Sequence, residues 1–199
     1  MQIALGTREQ RKQRTRAAID AAAWRLFTRQ GFDDTTVEEI AAAVGIAPRT
    51  FFRYFETKDA VLYGDWRDKL ESVCRLVEAR PADESPLDAM AAVLADVADE
   101  LIGDTAELLQ RSRIIDGSSA AGTYRLDVVQ PVSIEALAAV FGRRLGVDPD
   151  LDVRPRLFAA GAIAAVEIAR DVWLSTGGRR PLPHVVAEAF AELGHPFPG

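Results

Sequence analysis

The strongest constraint on this chain is the spacing of its apolar residues, which recur at intervals of three and four along most of its length. Ile19, Ala22, Ala23, Leu26 and Phe27 fall at i, i+3, i+4, i+7 and i+8, one stripe along a helix. No stretch sustains the two-residue alternation of a half-buried strand. The pattern predicts an all-α protein of about nine helices.

Punctuation residues divide that pattern. A first helix over 8–30 stops at Gly31, a residue suited to the left-handed position after a helix. Thr36 with Glu39 three positions on forms a capping box, predicting a second helix with Val37, Ile40, Ala41 and Val44 on its apolar side and Gly45 as its end. Pro48 suits the first turn of a short third helix reaching Phe55. A fourth helix is expected over 57–80. Ser85, Pro86 and Asp88 announce the next start, followed by helices over 87–102 and 106–115, a flexible loop over 117–122 and a helical pattern over 124–145. Within that last stretch Pro131 must bend, break or start a helix. A turn over 146–149, a long helix over 154–176 and a final one over 183–193 complete the reading.

Charge is distributed unevenly. The net charge of −6 argues at first against a nucleic-acid partner, but residues 1–58 carry ten Lys/Arg against seven Asp/Glu, while the remainder carries 14 against 23. A basic head on an acidic body is what a DNA reader with a second, non-DNA-binding domain should show. The single Cys74 cannot form an intramolecular disulfide. No apolar run approaches the ~20 residues of a membrane span. Charges follow Met1–Leu5 too soon for a secretory signal, so the expected location is the cytoplasm, with no membrane partner.

Residues 36–55 carry the functional signal. Two short helices joined at a glycine, with Ile40, Val44, Ile46, Phe51 and Phe55 to knit them together, make a helix-turn-helix. With Phe51 and Phe55 pointing inward, Pro48, Arg49, Thr50, Phe52 and Arg53 occupy the remaining face. Arginine donates two hydrogen bonds to guanine O6 and N7, and Phe or Pro packs against a thymine methyl. The Thr36 hydroxyl and the N–H groups beside it suit a phosphate oxygen. Arg8, Arg11, Lys12, Arg14 and Arg16 form a basic run adjoining this face, either a solvated helix end or a further DNA contact.

From Arg14 to Leu62 the chain resembles the N-terminal domain of the tetracycline-repressor (TetR) family. The resemblance rests on Leu26–Phe27, Gly31–Phe32, Thr35–Thr36–Val37, Ile40–Ala41, Val44–Gly45–Ile46, Thr50 to Phe55 and Lys58–Asp59–Ala60, in that order. It implies a DNA-binding domain over 1–60, a ligand-binding and dimerisation domain over 61–199, and DNA contacts from Thr36, Pro48, Arg49, Thr50, Phe52, Arg53, Tyr54 and Lys58. Packing and phosphate contact stay equally open for Tyr54, and Lys58 has solvation as its alternative. Ala47 departs from the family, which often has a serine cap there. So does Phe52, where tyrosine is usual and whose ring has no hydroxyl to offer a phosphate.

The second half shows no catalytic constellation: its two histidines, His184 and His195, lie near the C-terminus, far from Cys74. No metal-ligand spacing and no phosphate-binding loop is present, so neither an enzyme nor a cofactor is expected. The resemblance implies a small-molecule inducer pocket and a homodimer formed by the last two helices. Phe158, Gly161, Ala162, Ala165, Ile168, Ala169 and Val172 form a mostly small-residue stripe that serves either a partner copy or packing within one protomer. A homodimer would read a palindromic operator. Pocket candidates are Leu94, Leu101, Leu108, Ile114, Tyr124, Phe141, Phe158 and Trp173, each equally plain core. A weak likeness to acyl-CoA-sensing members implies that Arg111, Arg113 and Arg125 meet an anionic group. The expected function is a transcriptional repressor released from its operator by a small apolar or acyl ligand. A ligand-free activator or architectural binder, and a helical enzyme or carrier with a vestigial motif, are the competing readings.

Overall fold

Capping side chains start five of the helices in the computed structural model, which describes residues 7–97 and 105–194. Among these residues every regular element is helical. None of the helices is long and apolar enough to cross a membrane. The chain divides into two compact units, one of residues 1–64 and 113–124, the other of 65–112 and 125–199.

The first unit holds α1 (Thr7–Gln30), α2 (Val37–Val44), α3 (Pro48–Phe51), α4 (Lys58–Tyr63), the end of α7 (Thr105–Asp116) and α8 (Ser119–Tyr124). Thr36 caps α2 in both directions: its hydroxyl accepts from Glu39 N–H, and the Glu39 carboxylate accepts from Thr36 N–H. Gly45, at φ 73°, closes α2 in the left-handed conformation, where an L side chain would be strained. The core of this unit gathers Ile19, Ala23, Phe27, Phe32, Ile40, Phe51, Phe55 and Val61, with Ala121 from α8 fully buried among them.

Two elements differ from the sequence reading here. The α-helical ladder of α3 ends at Phe51, and the chain then coils through Arg53 N–H to Thr50 O and Tyr54 N–H to Phe51 O, bonds of the tighter i+3 kind. The expected loop over 117–122 contains α8. Ser118 starts it: its hydroxyl accepts from Ala121 N–H and its carbonyl from Gly122 N–H.

The second unit holds α5 (Trp66–Ala79), α6 (Pro86–Asp96), the beginning of α7, a π-helical turn at Arg125–Val129, α9 (Gln130–Leu145), α10 (Val153–Ser175) and α11 (Leu182–Gly194). The single helix expected over 57–80 is thus two, α4 and α5. Gly64 separates them at φ 54°, ψ −121°, outside the helical basin. The π-turn precedes Pro131, which sits in the first turn of α9, so Pro131 starts a helix. Ser85 caps α6 ahead of Pro86, as the sequence predicted. Asp152 caps α10, and hydrogen bonds from the Arg154 side chain and backbone N–H hold its carboxyl down to about 2. Arg144 closes the end of α5 from α9, donating to the carbonyls of Val77, Arg80, Pro81 and Glu84. The core joins Val73, Val77, Met90, Val93, Leu137 and Phe141 to Ala159, Ala162 and Ala165. The small residues let α10 lie close to its neighbours. At Gly161 an added Cβ would stand 3.2 Å from the Leu193 side chain of α11.

Candidate nucleic-acid interface

Phe51 and Phe55 determine what the third helix can present. Both are buried, their rings 5.7 Å apart, and Phe51 meets Phe52 edge to face at 5.4 Å. With those two inward, Pro48, Arg49, Phe52 and Arg53 are exposed and Thr50 is half-buried. Phe52 leans one edge on Phe51 and leaves about half of itself, 54%, exposed beside the two arginines. The structure therefore brings Pro48, Arg49, Thr50, Phe52 and Arg53 together on one short turn of chain. Thr36 is exposed at the start of α2. Its box is reinforced from α1, where Gln30 donates to Glu39. Hydrogen bonds from Thr36 N–H, from Gln30 and from the Thr36 hydroxyl lower the Glu39 carboxyl from its usual range.

Three other candidates are engaged in holding the unit together. The Lys58 ammonium donates to the carbonyls of Phe32 at 2.7 Å, Thr35 at 2.8 Å and Asp33 at 3.4 Å, and lies 4.1 Å from the Phe32 ring centroid. It ties the start of α4 to the α1–α2 connection. Tyr54 is half-buried against the core. Arg16, which the sequence groups with the basic run, is half-buried: it donates to Tyr54 O at 2.6 Å and Gly64 O at 2.8 Å, with its guanidinium carbon 4.3 Å from the Phe55 ring centroid. Arg8, Arg11, Lys12 and Arg14 remain exposed along α1.

Sequence reasoning missed the Arg16 brace and the buried Thr35, whose hydroxyl donates to Gly31 O at 2.7 Å. Arg16 has no local signal, since its carbonyl partners lie 38 and 48 residues away, whereas the Thr35 bond spans only four residues and was within reach of a local reading. The departure at Ala47 has a visible result: it caps α3 with extended backbone and no side-chain hydrogen bond. Ala47→Ser is expected to supply that bond and stabilise the protein by about 1 kcal/mol. Urea unfolding would check it, and an unchanged midpoint would show that the helix start is already satisfied.

The remaining candidates divide between the units. Leu101 and His195 lie outside the described residues. Ile114 and Tyr124 belong to the first unit: Ile114 packs on its core, and Tyr124 stacks on Tyr63 with ring centroids 5.4 Å apart. Arg113, in the same unit, is exposed. In the second unit Leu108 is half-buried and Arg111 pairs with Glu107 at 2.6 Å. There Phe141 and Trp173 are fully buried, and Leu94 and Phe158 pack at the edge of the core. Arg125 approaches Glu167 at 3.9 Å.

Of the residues expected at the dimer interface, Ala162, Ala165 and Ala169 are buried within the protomer, while Val172 is exposed. Phe158 and Gly161 are half-buried on the same helix. The apolar side chains that α10 leaves in solvent are Val153, Leu157, Ile168 and Val172, with Leu193 on α11.

Comparison with known proteins agrees with this architecture. Residues 19–63 match the family model "Bacterial regulatory proteins, tetR family", and residues 84–198 match "MftR C-terminal domain". The HTH-type transcriptional regulator TcmR of Streptomyces glaucescens is 37% identical over 177 residues, covering 84% of this chain and 76% of that protein. The putative mycofactocin biosynthesis transcriptional regulator MftR of Mycobacterium tuberculosis (strain ATCC 25618 / H37Rv) is 31% identical over 166 residues, 82% of each chain. Among solved structures, the TetR-family repressor FadR of Thermus thermophilus, in complex with lauroyl-CoA, shares the fold with a TM-score of 0.57 at 22% identity. That match covers 92% of this chain and 99% of FadR. The two family matches and the identity to TcmR over most of the chain place it in the TetR family of DNA-binding transcriptional regulators.

Proposed function

We propose that this chain is a ligand-released repressor that binds a palindromic operator as a homodimer. The observation that carries the DNA-binding part is the exposed set of Arg49, Phe52 and Arg53 around a rigidly buried Phe51 and Phe55. In this reading Arg49 and Arg53 read base edges, Pro48 and Phe52 pack on thymine methyls, and Thr50 meets a phosphate, while the Thr36 donors stay with Glu39. Lys58 and Arg16 act through position, since their donors already meet backbone carbonyls. Tyr54 contributes packing, with its carbonyl held by Arg16.

One helix of this length reads few base pairs, so two copies related by a two-fold axis are needed for a specific site. The exposed Leu157, Ile168, Val172 and Leu193 supply an apolar surface for that pairing. The ligand is an apolar or acyl molecule held by the second unit, the class represented by the lauroyl-CoA recorded with the Thermus repressor. Ligand favours a conformation whose paired recognition helices no longer match successive major grooves.

Selection from a random DNA pool at 150 mM salt tests the first half. Enrichment of a two-fold symmetric sequence is the expected result, and recovery of unrelated or single half-sites would overturn dimeric readout. Adding lauroyl-CoA and shorter acyl-CoA esters to the selected complex tests the second half. Release by at least one of them is expected, whereas a complex indifferent to the series rejects the acyl class.

A further inference from the structure

Arg125 opens the π-helical turn and projects a largely buried guanidinium, with 24% of its side chain exposed. Its Nε and Nη1 are buried and meet no hydrogen-bond acceptor among the described residues. The nearest counter-charge is the Glu167 carboxylate of α10, 3.9 Å away and too far for a hydrogen bond. Glu167 is held where it stands, because Gln130 of α9 donates to its other oxygen at 2.6 Å. An unmade hydrogen bond on a buried charged group is costly, and native structures rarely keep one without a use for it. A π-turn is itself an uncommon element that recurs at functional sites. The three side chains come from three separate elements and belong to one unit.

We propose that Arg125 is a ligand-anchoring residue, and that the group it anchors is an uncharged carbonyl oxygen, as in a thioester, ester or amide. The reason is charge. Glu167 already balances the guanidinium, so a carboxylate arriving at Arg125 would stand beside a second carboxylate. A neutral carbonyl accepts the unused N–H groups without adding charge. Glu167 then selects against free acids, while Gln130 keeps it from closing on the arginine. The inference rests on the ligand-released reading and identifies the polar end of the ligand within it.

The test uses the full-length protein with decanoic acid, methyl decanoate, decanamide and decanoyl-CoA as probes, read by thermal shift and calorimetry. Wild type is expected to bind the ester, amide or thioester at least tenfold more tightly than the acid. Arg125→Met should lose about tenfold or more of that affinity. Glu167→Gln should narrow the preference between acid and amide about tenfold or more. A merely structural ion pair predicts no change in neutral-ligand affinity in Arg125→Met. That pattern, a preference for the acid, or the absence of binding by every neutral probe overturns the proposal. Two further outcomes separate this site from the reading beneath it. A neutral probe that binds through Arg125 yet leaves the operator complex intact supports the site and rejects the inducer role. Release of DNA by a neutral probe at the same concentration in wild type and Arg125→Met supports the inducer role and rejects the site.

Discussion

Replacing Arg49 and Arg53 together by alanine should abolish selective operator binding while leaving the fold unchanged. Both side chains are exposed. Surface substitutions of this kind usually alter stability by no more than about 0.5 kcal/mol. A bidentate arginine–guanine contact contributes about 1–3 kcal/mol of discrimination. Two such contacts would sum to about 2–6 kcal/mol per half-site if they add, at least about thirtyfold in affinity. Fluorescence anisotropy against the selected operator and a scrambled duplex of equal length checks this. The operator should lose its advantage while the scrambled duplex changes little. Equal losses on both duplexes, together with a shallower salt dependence, would instead make the two arginines phosphate contacts.

The second large effect is expected inside the unit. Phe51→Ala removes a fully buried ring that touches the rings of Phe52 and Phe55 and sits in the cluster with Ile19 and Ile40. Truncations of this type cost about 3–5 kcal/mol through lost transfer energy and the cavity left behind. Against a total stability of about 5–15 kcal/mol, that is enough to threaten the first unit as a whole. Chemical unfolding followed by circular dichroism should show the loss, and DNA binding should fall with it. Phe52→Ala is the internal control. Its exposed ring should leave stability nearly unchanged while weakening operator affinity. If Phe51→Ala and Phe52→Ala destabilised the protein equally, the assignment of one ring to the interior and the other to DNA would be wrong.

These two rings also show what the sequence made legible. Local signals, such as the Thr36–Glu39 box, Gly45, Pro48, Ser85 and the apolar period of α1, specify boundaries because their partners lie within four residues. The exposed arginine face followed from the same short-range geometry once Phe51 and Phe55 were turned inward. Features set by distant partners were not legible. Arg16 reads as one more basic residue, yet its donors reach Tyr54 and Gly64. Lys58 reads as a surface lysine, yet its donors reach three carbonyls more than twenty residues earlier. The α4–α5 break was hidden because a glycine inside a helical period is ordinarily tolerated. The alanine stripe of α10 fits close packing against any helix, and only the folded chain reveals that its partner is internal.

Residues 113–124 are assigned to the same unit as residues 1–64 although they are synthesised some fifty residues later. Ala121 is buried in that unit's core, and the Tyr63 hydroxyl donates to its carbonyl at 2.7 Å. The DNA reader therefore cannot be excised or transplanted as a simple N-terminal fragment. A hybrid regulator made by a single crossover after residue 64 would inherit a foreign version of this inserted piece and forfeit the tyrosine latch. Graft designs need three junctions, near 64, 112 and 124, so that the returning segment travels with the headpiece it completes.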